Sequence, residues 1–166
     1  MDLKRFWRHI LMSPLKARRA FPESVMEAIG REVSAGERGH RGEVRLVVEA
    51  ELTTAQLWAD LRSRERALEL FAQLRLWDTE DNTGVLLYVL LADRKVEIVA
   101  DRGIARKVDQ SEWDTICASM GAAFAKGDFE RGSIVGVQAA SLLLDRHFPA
   151  GDSENPNELP DKPLLI

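Results

Sequence analysis

Glu43, Asp78, Asp81, Asn82 and Asp101 are residue types that hold a hard divalent cation, and the pattern around them predicts that they meet. Asp78, Glu80, Asp81 and Asn82 share one polar loop, and Asp101 closes a strand that follows it. A strand, a crossover helix and a second strand in one sheet are normally parallel, so both strands begin on the same rim. The third strand returns as a hairpin and carries Asp101 back beside the loop, while Glu43 opens the first strand. Carboxylates, an amide oxygen and loop carbonyls suit Ca²⁺ or another divalent cation, since Ca²⁺ takes about 6 to 8 oxygen ligands and offsets the repulsion between carboxylates. Asp and Asn also dominate turns, and Gly84 and Gly103 permit unusual backbone, so turn formation and cation binding both account for this loop. Asp109 and Glu112, at the start of a helix, offer either further oxygens or helix capping.

Other chemistries find little support. The chain lacks a Gly-x-Ser-x-Gly elbow, a Walker loop and a dinucleotide fingerprint. Counted from Asp78, the sixth residue is Thr83 instead of Gly and the twelfth is Val89 instead of Glu, so the loop is not an EF-hand. Asp78-Thr79-Glu80-Asp81 is not the Asp-x-Asp of aspartyl-phosphate enzymes, and no Cys-x5-Arg loop surrounds Cys117. That single cysteine is expected as a buried thiol, without a disulfide. His9, His40 and His147 lack the close pairing of zinc sites and are expected at the surface. Catalysis would therefore rest on a bound metal.

The elements that must position these residues are legible as periodicities. Phe21, Val25, Ile29 and Val33 recur at helical spacing after Pro22. Val44, Leu46, Val48 and Ala50 alternate as one face of a strand, with Arg45 and Glu49 on the other. Ala67, Leu70, Phe71 and Leu74 mark a second helix. The strand from Val85 to Leu91 is apolar on both faces, hence central and covered on both sides. A turn at Asp93-Arg94 leads to a strand through Val96, Ile98 and Ala100. Trp113 to Phe124 forms a third helix, broken at Lys126-Gly127-Asp128, and Ile134 to His147 forms a fourth. This order predicts an α/β three-layer sandwich, a small mixed β-sheet with helices on both faces. Gly132-x3-Gly136 is expected to let the last helix approach that sheet, and carries no implication for oligomeric state.

The 166 residues divide into a basic N-terminal arm (1–20), one domain (21–150) and a polar tail (151–166) that is irregular from Gly151 to Pro160. Six cations against Asp2 put +5 on Met1 to Pro22, which leaves −9 on the remainder of a chain of net charge −4. Phe6, Trp7, Ile10, Leu11 and Leu15 interleave with those cations. The arm is expected to dock on its own domain, with a weak membrane-surface contact through residues 4–19 as the alternative. Trp58, Trp77 and Trp113 are expected in the core or at its rim, and without interleaved bases no nucleic-acid partner is expected. No apolar run reaches about 18 residues, and Ile10-Leu11-Met12 is shorter than the about 7 to 15 residues of a secretory signal, which favours a cytoplasmic location.

Asp81-Asn82-Thr83-Gly84-Val85-Leu86-Leu87-Tyr88-Val89, Asp93 to Val99 and Asp101-Arg102-Gly103-Ile104 resemble the core signature of the TPM domain family, named after a thylakoid acid phosphatase, a photosystem II repair protein and a receptor modulator. Gly42-Glu43-Val44 and Asp128-Phe129-Glu130-Arg131-Gly132 extend the resemblance. Phe148-Pro149 and Asn157-Glu158-Leu159-Pro160-Asp161 are similar to the ending of a short, anchorless bacterial branch. The resemblance implies the layered α/β fold and calcium binding through Asp81, Asn82 and Asp101. Thr83 departs from relatives that often place Asn or Asp before this glycine. The expected function is cation binding coupled to contacts with a protein partner, without turnover; a metal-assisted acid phosphatase of low specificity and a peripheral membrane adaptor are the alternatives.

Overall fold

A computed structural model describes residues 2–151 and 159–166. Its elements are α1 (Leu3–Leu11), α2 (Pro14–Ala20), α3 (Glu23–Glu37), β1 (Glu43–Glu49), α4 (Thr54–Trp58), α5 (Ser63–Gln73), β2 (Gly84–Leu90), β3 (Lys95–Ala100), α6 (Arg102–Ala105), α7 (Gln110–Ala125), α8 (Phe129–His147) and β4 (Leu164–Leu165). Among the described residues the strands form one sheet in the order β3-β2-β1-β4. β1 and β2 are parallel from the Glu43–Gly84 pair to the Glu49–Leu90 pair, and β3 returns antiparallel beside β2.

Period-two patterning builds the three layers. Val44, Leu46 and Val48 of β1 and Val85, Leu87 and Val89 of β2 face α3, α7 and α8, and share one buried cluster with Ile29, Met120 and Leu144. Val47, Leu86, Tyr88 and Leu90 point the other way and pack with Leu57 of α4 and Ala67 and Leu70 of α5. Every residue of β2 is buried, as expected for a strand covered on both faces. A polar cluster enters the second layer: the Tyr88 hydroxyl donates to Glu49 Oε2 (2.5 Å), and Arg66 Nε and Nη2 donate to the same carboxylate at 2.9–3.2 Å. With both carboxylate oxygens paired, the charge is satisfied where an isolated one would be costly.

The arm is docked. Ser13 caps α2 and Pro14 occupies its first turn, separating it from α1. Arg5 Nε donates to Asp93 (3.0 and 3.2 Å) and Nη2 to the Leu61 carbonyl (2.6 Å). Asp93 lies in the β2–β3 turn and also meets His9 Nε2 at 3.1 Å. Burial alone would raise the Asp93 pKa, but the bonds from His9 and Arg5 win and hold it at about 2.

Two expectations are corrected. His9 and His40 are buried, not superficial; each has a backbone amide to accept, from Leu52 onto His9 Nδ1 (2.9 Å) and from Gly42 onto His40 Nδ1 (3.2 Å). Gly132 and Gly136 bring α8 against α7 instead of the sheet, meeting Phe124 and Met120. Trp113 is core, whereas Trp58 and Trp77 are 67% and 48% exposed. The irregular tail expected from Gly151 to Pro160 falls mainly on 152–158, outside the described residues. Beyond it the chain returns as β4, which pairs parallel with β1 at Val47 and Val48. No helix among the described residues is long and apolar enough to cross a membrane.

Candidate functional site

The rim where β1 and β2 begin gathers the acidic positions. Asp101 follows β3 directly, and its amide donates to the Gly84 carbonyl (2.9 Å). Glu43 lies across β1 in register with Gly84. Asp101, Gly84 and Glu43 thus form one row across three strands, about 10 Å from end to end at a strand spacing of about 4.8 Å. The loop before β2 closes over this row. Asn82 has a φ of 54°, in the left-handed region that Asn tolerates. Its carbonyl accepts from the Gly103 amide (2.9 Å). A side chain on Gly103 would run into the carbonyls of Asp81 and Asn82, so glycine there lets α6 touch the loop. Gly84 is similarly pressed against the Leu76 carbonyl.

The side chains converge less completely than the backbone. Asp101 caps α6, with Oδ1 accepting from the Arg102 amide (2.7 Å). Its Oδ2 is buried and without a hydrogen-bond partner among the described residues. Arg41 reaches Asp81 Oδ2 at 2.8 Å, and Arg102 Nε donates to Asn82 Oδ1 at 2.9 Å. These two guanidiniums are the site residues the sequence reading missed; Arg41 is two positions before β1 and Arg102 directly follows Asp101, but neither spacing announces its partner. Thr83 is buried: its hydroxyl donates to the Arg41 carbonyl (3.3 Å), tying the two strand starts together, and its amide donates to Thr79 Oγ1 (2.9 Å). Asp78 is exposed, in a turn closed by its amide on the Arg75 carbonyl (2.9 Å).

Glu43 is buried and acts electrostatically on Glu37, at the end of α3. Glu37 Oε1 accepts the Val44 amide at 3.0 Å. Burial drives the Glu37 pKa up to about 8; the Val44 bond opposes this, while Glu43 and Asp161 add to it. The Cys117 thiol is half-buried and pushed up to about 11, first by burial and then by Glu97 and Asp114, so it is protonated and a poor nucleophile at neutral pH.

As a donor set for a hard cation, the rim offers the Asp81 and Asp101 carboxylates and the Asn82 amide oxygen, all oxygens, and Asp101 Oδ2, without a partner among the described residues, fits such a role. Among the described residues no group of three or more His, Cys, Asp or Glu side chains is arranged to hold a metal ion. Asp81 and Asn82 are instead met by Arg41 and Arg102; Arg41 balances the Asp81 charge from within the chain, and Arg102 occupies the Asn82 amide oxygen.

The architecture defines a small three-layer α/β domain with an oxygen-rich rim. Among solved structures, the NMR structure of BA42 protein from the psychrophilic bacterium Bizionia argentinensis is similar to it, with a TM-score of 0.72 and 27% identity over 86% of this chain and 93% of that one. A family model described as the TPM domain matches residues 18–142, and the chain belongs to that family. No curated protein matches it.

Proposed function

We propose that this TPM domain binds a divalent cation, with Ca²⁺ the first expectation, at the rim formed by Asp81, Asn82 and Asp101, and acts through contacts with a protein partner rather than by turnover. The observation that carries the reading is Asp101: one carboxylate oxygen is committed to capping α6, and the other is buried with no partner among the described residues, beside a loop of oxygen donors. When bound, a cation would supply the positive charge that this oxygen lacks. Asp81 and Asn82 would complete the donors once Arg41 and Arg102 turned to solvent; the Arg41–Asp81 pair is partly exposed, so releasing it costs about 1 kcal/mol or less. Glu43 is buried near Glu37, behind the rim.

This competition makes a specific test. Calorimetric titration of the metal-free chain with Ca²⁺, Mg²⁺ and Mn²⁺ should show binding that weakens at least about tenfold in Asp101→Asn, since a charge-assisted ligand is lost. Binding should tighten in Arg41→Ala, which removes a competing cation. Heat from none of the three ions, or an Arg41→Ala variant that binds more weakly, would overturn the proposal.

A further inference from the structure

We propose that the α1–α2 segment is a docking surface for an anionic lipid bilayer. α1 is amphipathic but inserted with its polar side inward. At about 100° per residue, Leu3, Trp7, Ile10 and Leu11 fall within an arc of about 100° opposite Arg5 and His9. Arg5 and His9 are taken up by Asp93, which fixes the rotation of the helix. The apolar stripe is left in water: Leu3 is 62%, Trp7 54%, Ile10 50% and Leu11 65% exposed, and Leu15 of α2 extends it at 59%. Single exposed leucines are ordinary, but five large apolar residues on two adjoining helices make a patch that calls for an occupant.

The charges around the stripe select that occupant. Lys4 and Arg8 flank it on α1, with Arg8 also reaching Asp93 at 3.3 Å, and Arg18 and Arg19 follow on α2, all exposed. A groove of about 970 Å³ then brings Lys16 and Arg19 together with Arg94 and Lys95 of the β2–β3 turn, alongside Asp128 and Glu130. Among the described residues Arg18, Arg19, Arg94 and Lys95 have no ion pair. A second copy would set these cations against their own kind, and a protein interface core excludes charged side chains. A bilayer accepts both classes at once, with leucines and Trp7 entering the acyl boundary and Lys and Arg stems reaching back to lipid phosphates. α1 sits where the parallel strands end, whereas the acidic rim lies where they begin, about 20 Å away along a seven-residue strand. A bilayer engaged by α1 therefore leaves the rim facing water.

The test is sedimentation of the full chain with phosphatidylcholine vesicles, with and without about 30% phosphatidylserine, at low and physiological salt. Expected is binding to the anionic vesicles that weakens with salt. Arg18→Ala with Arg19→Ala should lower it about 30-fold, at roughly tenfold for each 1.4 kcal/mol and 1 kcal/mol per cation. Trp7→Ser with Leu11→Ser should lower it at least about tenfold with an unchanged thermal melt, because both side chains are exposed. No sedimentation, equal binding to neutral vesicles, or unaltered binding in either variant would overturn the proposal. So would concentration-dependent dimerisation abolished by Trp7→Ser with Leu11→Ser, which would assign the stripe to a second copy.

Discussion

Glu37 shows how one buried carboxyl can govern the response of the fold to pH. Its pKa stands at about 8 against an ordinary 4.5, so the folded chain favours the neutral acid. The stabilisation this gives is fully present below about pH 4.5 and is lost as pH rises through about 8. Buried His40 acts in the opposite sense, since its lowered pKa, caused first by burial, makes the fold lose stability as pH falls. The Glu37→Gln variant separates the two. It keeps a side-chain oxygen for the Val44 amide, and its urea midpoint should fall less than that of the wild type between about pH 5 and pH 9. Parallel profiles would show that burial does not hold this proton. Glu37 was invisible in the sequence because its surroundings, Glu43 and Asp161, are brought to it only by the sheet. The same holds for His9, whose partner Asp93 is 84 residues away. Asp81, Asn82 and Asp101 could be placed on one rim because strand direction alone decides which ends meet; Arg41 and Arg102 could not, because side-chain pairing depends on rotamers that no periodicity encodes.

At the scale of elements, helix packing turned out to depend on small residues whose partner the sequence does not name. Gly132 stands with a potential Cβ 2.7 Å from Phe124 Cε1 and 2.8 Å from Ala123 Cβ. The Phe124 ring is itself held between Phe21 and Phe129, with centroids 6.2 and 5.4 Å away, so it has little room to give. Gly121 in α7 meets nothing within 4 Å. Replacing each with alanine should therefore have opposite effects: Gly132→Ala destabilises by about 1–3 kcal/mol through overpacking, and Gly121→Ala stabilises by about 0.5–1 kcal/mol by restricting the unfolded chain. Urea denaturation of the two variants decides it, and equal shifts would mean that α7 and α8 do not pack through this glycine. The four long helices and the three long strands were legible because each carries an apolar period over several turns or alternations. α4, α6 and β4 were not, since elements of two to five residues are too short to show a period.

On the scale of the whole molecule, the central β2, apolar on both faces, implied covering layers on each side, and the fold follows from that one strand. What it left open was how the sheet ends at β1. That edge is closed by the chain's own last residues: the Ile166 amide donates to the Val48 carbonyl and the Ala50 amide to the Ile166 carbonyl, both at 2.9 Å. Lys162 pairs with Glu23 at 2.6 Å, and Gly30 of α3 lies against Lys162 and Pro163, so the segment is fastened to helix and sheet together. Arg45 adds a bond to the Pro160 carbonyl. An uncovered edge beside the buried Val47 and Val48 would present unpaired backbone donors and acceptors to any other strand. Deleting residues 161–166 should lower stability by about 2 kcal/mol, from the loss of the apolar burial that Leu164 and Leu165 provide. It should also turn the chain into a species whose size, followed by light scattering, grows with concentration through pairing of exposed β1 edges. A truncated chain with an unchanged urea midpoint and no association would show instead that β1 tolerates solvent at its edge and that β4 contributes nothing to the sheet.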